Sequence, residues 1–308
     1  MGFAAHRKKL RERNLVMKIG FIGLGNMAKA IIGGILKDKI IPAKDIIGSD
    51  KSDEMKKGAK SQFGITVYDS NIKVVSEADI LFFAVKPQFL PEVMDEIKGS
   101  VKEKTVIVSI VAGKNIAFIE NGLASASKTT GKAAGKAAGK SAGKAAGKST
   151  GAKKIKIVRT MPNTPALVGE GCTGVCPNEN VTKAELDKVL KILSSFGKAH
   201  VVPERLMDVV GAVSGSSPAF VFMFIEALAD GAVAGGMPRA QAYEFAAQAV
   251  LGSAKLVLES GKHPGELKDM VCSPAGTTIE GVRTLEECGM RGAIMDAVDA
   301  VIERTKEL

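Results

Sequence analysis

An α/β fold, with a doubly wound parallel sheet first and an all-helical region after it, is what this sequence predicts, and three observations predict it. From Met17 onward short apolar runs alternate with amphipathic segments, the pattern of strand-helix-strand units. At Thr182 that alternation stops and the chain turns almost wholly helical as far as Leu308. The first apolar run ends in a glycine turn that opens directly into a helix.

In chain order, KIGFIG (18–23), DIIGS (45–49), ITVY (65–68), DILFFAV (79–85), TVIVSI (105–110), IKIVRTMP (155–162) and GCTGVCP (171–177) predict strands. NMAKAIIGGILKD, SDEMKKGAKSQF and QFLPEVMDEIKG predict helices between them, and NIAFIENGL predicts one after the fifth strand. TKAELDKVLKILSSFG reads as a helix stopped by Gly197, followed by the short AHVVP segment. The expected domains are therefore a sheet domain over 17–181 and a helical domain over 182–308, with the change of character falling between Val181 and Pro203.

AFVFMFIEALADGAVAGG, from Ala219, contains Glu226 and Asp230 in a span short for a bilayer, so it reads as a buried core helix and no membrane is expected. Gly211, Gly215, Gly231, Gly235 and Gly236, with many alanines, allow close helix packing. Helices this apolar call for a second subunit, so a homodimer or larger assembly is expected.

The 308-residue chain carries a formal charge of +10, which would suggest a polyanionic partner if it were spread over a folded surface. It is concentrated instead. Residues 128–154 hold eight lysines and no acid, and residues 1–16 hold five Lys/Arg against Glu12; removing that +8 and +4 leaves −2 for the rest. Nucleic acid is therefore not expected as a partner. The repeat TTGKAAGKAAGKSAGKAAGKSTGAKK has a glycine in nearly every fourth position and no large apolar side chain to offset ordering entropy, so 128–153 reads as a disordered basic insertion. Residues 1–16 read as a leader or extension, with Met17 standing immediately before the first strand. Four cysteines without a secretory signal suit a reducing, cytoplasmic compartment. Cys172 and Cys176 lack a second ligand pair at zinc spacing, so no metal is expected.

The glycine turn is G-x-G-x-x-A: Gly23 for the tight turn, Gly25 for close approach of a pyrophosphate, and Ala28 for helix-strand packing, with Asn26 and Met27 at the helix start. In the context of strand, turn, helix and second strand this is a Rossmann-type dinucleotide fingerprint. After the second strand, Asp50 argues for NAD, whereas Ser49, Lys51 and Ser52 argue for NADP; the choice stays open, with NADPH placed slightly ahead of NADH. Ligands on such sheets sit at the carboxyl ends of strands. Val85, Lys86 and Pro87, then Ala112 and Gly113, accordingly border the cofactor. The two prolines of RTMPNTPALVGEG hold Met161–Pro165 extended and expose Asn163 and Thr164 as polar contacts to cofactor and substrate. VSGSSPAF (213–220) and CSPAGTTIEGV (272–282) read as polar interruptions between apolar helices. The second gathers Ser273, Gly276, Thr277 and Thr278 at a helix start, a receptor for a carboxylate or a plain N-cap.

IGFIGLGNMAKAI, AVKPQ, SIVAGK, RTMPNTPALVGEG, SGSSPAF and HPGELKDMVCSPAGTTIEGV together resemble the pyrroline-5-carboxylate reductase family, within the 6-phosphogluconate dehydrogenase-like superfamily. The resemblance covers Met17 to about Leu123 and Lys154–Leu308, leaving out the leader and the basic repeat. It implies reduction of 1-pyrroline-5-carboxylate to L-proline by hydride from NAD(P)H, and a helical dimerisation domain whose interlocked dimers build larger rings. Its Ser-Pro-x-Gly-x-Thr loop, which holds the substrate carboxylate, falls on Ser273, Gly276, Thr277 and Thr278, and Thr278 is the candidate for a catalytic role. A protonated ring iminium draws hydride without a dedicated acid or base. His6, His200 and His263 accordingly read as structural, and Lys86 is not assigned as a proton donor. The alternatives are another imine or 3-hydroxyacid reductase, for which Lys255 and Lys268 would be the candidate bases, or a cofactor-sensing scaffold with a basic nucleic-acid arm.

Overall fold

A computed structural model describes residues 17–124 and 154–307, so the leader (1–16) and the basic repeat (128–153) lie outside the described residues. The chain forms two units, Met1–Met207 and Asp208–Leu308.

In the first unit the strands are β1 (Ile19–Ile22), β2 (Ile46–Ser49), β3 (Thr66–Tyr68), β4 (Ile80–Phe83), β5 (Val106–Ser109), β6 (Lys156–Met161), β7 (Gly171–Pro177) and β8 (Gly197–Val201). They form one sheet in the order β3-β2-β1-β4-β5-β6-β7-β8. The first six run parallel; β7 is antiparallel to β6, and β8 is parallel to β7. The sequence's parallel sheet is thus the first six strands of a mixed one. Strand order reverses between β1 and β4, which places the crevice where a doubly wound sheet binds ligands at the carboxyl ends of those two strands.

Among the described residues, five α-helices alternate with the strands from β1 to β6: α1 (Asn26–Lys37), α2 (Asp53–Phe63), α3 (Asn71–Glu77), α4 (Leu90–Ile97) and α5 (Ile116–Leu123). Residues on central strands alternate between two cores. Phe21, Phe82 and Val108 pack with Ile31, Ile32 and Ile35 on one face, while Ile22, Phe83 and Ile107 pack with Val93, Ile97 and Ile119 on the other. Phe21 and Phe82 stack with ring centroids 4.8 Å apart, a pairing worth about 1 kcal/mol beyond burial. α3 was not anticipated; at seven residues it is too short to show a helical period, although Ser70, whose side chain accepts the Lys73 N–H, marks its start.

The expected division at 181/182 is corrected. Helix α6 (Lys183–Leu193) opens with a reciprocal capping box between Thr182 and Glu185, and Lys156 of β6 donates to Glu185 at 2.6 Å. Val189, Ile192, Leu193 and Phe196 fill the same core as Ile31 and Ile35. At Gly197 the backbone adopts φ 149°, and a Cβ there would stand 1.9 Å from the Gly171 carbonyl oxygen, so only glycine lets β8 begin against β7. His200 lies within β8. The period of α6 announces a helix but not which core it covers.

From Met207, the last residue of the first unit, one helical turn (Met207–Val210) runs into a π-helix, Gly211–Ser216, and on into α7 (Ser217–Ala234). VSGSSPAF is therefore a widened helical turn rather than an interruption; the Ser214 and Ser217 hydroxyls donate to the Val210 and Val213 carbonyls one turn back. Then come α8 (Arg239–Ser260), α9 (Pro264–Val271), α10 (Thr277–Glu287) and α11 (Met290–Lys306). Ala229, Ala242 and Ala246 make up the buried core between α7 and α8. Phe222 is 63% exposed, Phe245 67% and Leu258 83%. The expectation of a buried core helix from Ala219 is thus corrected: α7 is largely exposed in the single chain. By length and composition alone, the helical run Glu204–Ala234 could cross a membrane.

Candidate active site

The glycine turn is built as the fingerprint requires. Gly23 has φ 97°, and a Cβ there would lie 2.4 Å from the Ala84 carbonyl oxygen, so β1 and the segment after β4 touch through backbone. Gly25 N-caps α1, and a Cβ added to it meets no protein atom within 4 Å. The first helical bond, from Lys29 N–H to the Gly25 carbonyl, leaves the earlier N–H groups of α1 without intrahelical acceptors. No acidic side chain stands in the first turn to oppose an anion. Asn26 is exposed, Met27 half-buried and Ala28 buried in the core. These residues fit a dinucleotide pyrophosphate: the helix start supplies donors, and the one open glycine leaves the approach clear.

At the end of β2 the candidates divide. Asp50 accepts the Leu24 N–H at 2.7 Å and the Ser52 N–H at 2.8 Å. Ser49 is 2% exposed and donates its hydroxyl to Asn71 Oδ1 at 2.7 Å, so its proposed contact with a 2′-phosphate is corrected. Lys51 is exposed and paired with Glu92. Neither Asn71 nor Glu92 was a candidate from sequence; they reach β2 from α3 and α4, and no local spacing announces such an encounter.

At the same sheet edge, Val85 and Pro87 are half-buried and Lys86 is exposed, its carbonyl accepting the Phe89 N–H at 3.0 Å. Ala112 and Gly113 form a turn after β5, with Gly113 at φ 72°. Beyond β6 the expected extended, exposed stretch is corrected. Met161 ends β6 and Asn163 is extended, but Thr164–Val168 is a 3-10 turn. Asn163 is 8% exposed, with Oδ1 accepting the Cys172 N–H at 2.8 Å, so this amide ties the loop to β7. Thr164 is exposed. Below this loop, Arg159 is buried and donates to Glu204, which also accepts the Ile116 N–H at 2.7 Å. Burial first, then the Glu204 carboxylate, pushes the neighbouring Cys176 thiol up, away from a reactive thiolate.

In the second unit, Ser273–Gly276 form a turn before α10, closed by the Gly276 N–H donating to the Ser273 carbonyl at 3.0 Å. Ala275 takes φ 56°, a left-handed conformation uncommon outside glycine. Gly276 caps α10 without a side-chain hydrogen bond, and Thr277 and Thr278 are exposed at the helix start. Nearby, His263 Nδ1 accepts the Gly265 N–H at 3.0 Å and caps α9, a structural role. Lys268, one alternative base, is held above its ordinary pKa by hydrogen bonding to Asp269, which makes it a poor base. Lys255, the other, pairs with Glu259.

A doubly wound sheet with this turn, followed by a helical unit, is an architecture that dinucleotide-dependent oxidoreductases use. Residues 204–308 match the family model described as pyrroline-5-carboxylate reductase dimerisation, and residues 18–113 match that of NADP oxidoreductase, coenzyme F420-dependent. The chain is 46% identical over 292 residues to pyrroline-5-carboxylate reductase of Escherichia coli (strain K12), covering 94% of this chain and 98% of that one. With the enzyme of Methanosarcina acetivorans it shares 43% identity, covering 94% and 97%. The crystal structure of Plasmodium falciparum pyrroline carboxylate reductase with NADP bound superposes with a TM-score of 0.78 at 31% identity, covering 94% and 97%. The chain belongs to the pyrroline-5-carboxylate reductase family. The exposed apolar faces of α7 and α8 are accordingly parts of a dimerisation domain, and the protein is a homodimer or larger oligomer.

Proposed function

We propose that this chain reduces the ring imine of 1-pyrroline-5-carboxylate to L-proline, with the glycine turn holding NAD(P)H and the Ser273–Thr278 turn holding the substrate carboxylate. Bound NAD(P)H supplies the hydride. The start of α1 offers backbone N–H groups and the positive end of a helix dipole to the pyrophosphate. Val85, Pro87, Ala112 and Gly113 border the ring end of the dinucleotide at the carboxyl edge of the sheet. Asn163 contributes by fixing the loop that carries Thr164.

On the substrate side, the hydroxyls of Ser273, Thr277 and Thr278 and the N–H groups opening α10 hold the carboxylate. The substrate nitrogen, already protonated as the iminium, keeps its proton when hydride reaches the adjacent carbon. The chain's task is therefore alignment and exclusion of water, with Thr278 as the candidate side chain for a catalytic role. The four free cysteines suit reduced cytoplasm as the place of reaction.

The observation that carries this reading is the contrast between Gly23, closed against Ala84, and Gly25, open to a ligand. The test is incubation of the purified protein with 1-pyrroline-5-carboxylate and NADH or NADPH, following cofactor absorbance and proline by chromatography. Proline formed in step with cofactor oxidation is expected; oxidation without proline, or none with either cofactor, overturns the proposal.

A further inference from the structure

A 2′-hydroxyl and a 2′-phosphate are told apart at the end of β2, and the side chains there are already engaged. Lys51 Nζ donates to both carboxylate oxygens of Glu92 on α4, at 2.9 Å each, and stands 5.6 Å over the Phe89 ring. One turn further along α4, Glu96 accepts from Asn71 Nδ2 at 2.7 Å, and Asn71 in turn receives the Ser49 hydroxyl. Lys56, one turn into α2, is held by Asp53 and Asp69. Three carboxylates are thus engaged at or beside this strand end: Asp50 by the Leu24 and Ser52 N–H groups, Glu92 by Lys51 and Glu96 by Asn71.

A 2′-phosphate, carrying about −1.5 to −2 charges near neutral pH, would meet those carboxylates unless Lys51 left Glu92. A ribose hydroxyl asks nothing of Lys51, and Asp50 keeps lone pairs to accept it. We propose that Glu92, by holding Lys51, sets the cofactor preference toward NADH; this rests on the reading of the glycine turn as the dinucleotide site. Lys51 is then a phosphate ligand held in reserve. With side chains 66% and 65% exposed, the pair is weak enough to be exchanged. The order suggested by the sequence, NADPH slightly ahead, is inverted for a physical reason. The Ser49 hydroxyl is buried on Asn71, the Ser52 hydroxyl caps α2, and Lys51 is neutralised.

The test is calorimetric titration of the full chain with NAD⁺, NADP⁺, 5′-ADP and 2′,5′-ADP, for the parent protein, Glu92→Gln, the double variant Lys51→Met/Glu92→Gln, and Gly25→Val. The parent should bind NAD⁺ more tightly than NADP⁺. Glu92→Gln should tighten NADP⁺ and 2′,5′-ADP about three- to tenfold while NAD⁺ and 5′-ADP stay put, and the double variant should lose that gain. The KM ratio of NADPH to NADH should fall in parallel. An unchanged NADP⁺/NAD⁺ affinity ratio in Glu92→Gln, with Gly25→Val blocking both dinucleotides, overturns the role of Glu92 and leaves the glycine-turn reading standing. Undiminished binding of both by Gly25→Val overturns that reading, and the inference with it. A thermal melt matching the parent confirms that the exposed Glu92 substitution leaves the fold intact.

Discussion

The Asp50 carboxylate accepts the N–H of the fully buried Leu24 at 2.7 Å, clamping the glycine turn after β1 to the end of β2. Asp50→Ala would strand that donor away from water, at a cost of about 1–3 kcal/mol. The expected outcome is a lower midpoint in urea and weaker dinucleotide binding by calorimetry, with kcat at saturating cofactor falling less than affinity. Asp50→Asn keeps one carbonyl acceptor and should lose less. Parent-like stability in Asp50→Ala would contradict the clamp.

Gly23 and Gly25 separate folding from binding. Gly23→Ala drives a Cβ toward the Ala84 carbonyl at 2.4 Å in a left-handed backbone, so it should destabilise by about 2 kcal/mol or more. Gly25→Ala meets open space within the chain and should melt within a few degrees of the parent, yet raise KM for the dinucleotide about tenfold or more by occupying its path. Comparing melts and KM values for the two variants checks both halves.

The dimerisation domain leaves Phe245 and Leu258 exposed in the single chain. Phe245→Asp should convert the assembly to smaller species by light scattering and reduce turnover with it, since a buried unpaired charge at an interface costs several kcal/mol, of the order of 3 or more. An unchanged mass would show that Phe245 lies outside the interface.

Glu77 closes α3 beside Lys18 at the entry to β1, at 2.5 Å, and also pairs with Lys73. Hydrogen bonding to Lys18, then to Lys73, holds its carboxyl down at about 2. A depressed acid stabilises the fold above its unfolded value of 4.5, and that contribution fades as pH falls toward about 2. Glu77→Gln should therefore be less stable than the parent at neutral pH, by about 1 kcal/mol, and the gap should close across that acid window. Urea titrations at pH steps measure it. A gap independent of pH would place the effect elsewhere.

Local features of this protein are readable in its sequence because their causes lie within a few residues of each other. The first seven strands and the G-x-G-x-x-A turn are recovered because apolar runs, glycine conformations and helix starts act over one or two turns of chain. α6 is visible as a helix for the same reason, through Thr182 and Glu185. Helix α3 escapes because seven residues carry too little period, and the π-helix escapes because Gly, Ser and Pro in VSGSSPAF signal a break as readily as a widened turn. Asn163 looks like an exposed amide in its motif; that its oxygen is consumed by Cys172 depends on β7 folding back antiparallel to β6.

The sequence by itself determined the doubly wound fold, the glycine turn, the helical assembly domain and, through its motifs, the family. Only the tertiary structure decided that α6 and β8 complete the first unit, that Ser49 is sequestered and that Asp50 clamps Leu24. It also decided that Lys51 is met by Glu92, 41 residues away. The physical reason is range. Backbone conformation and amphipathic period are set by near neighbours along the chain, whereas the engagement of a polar side chain is set by whichever partner the sheet order brings to it.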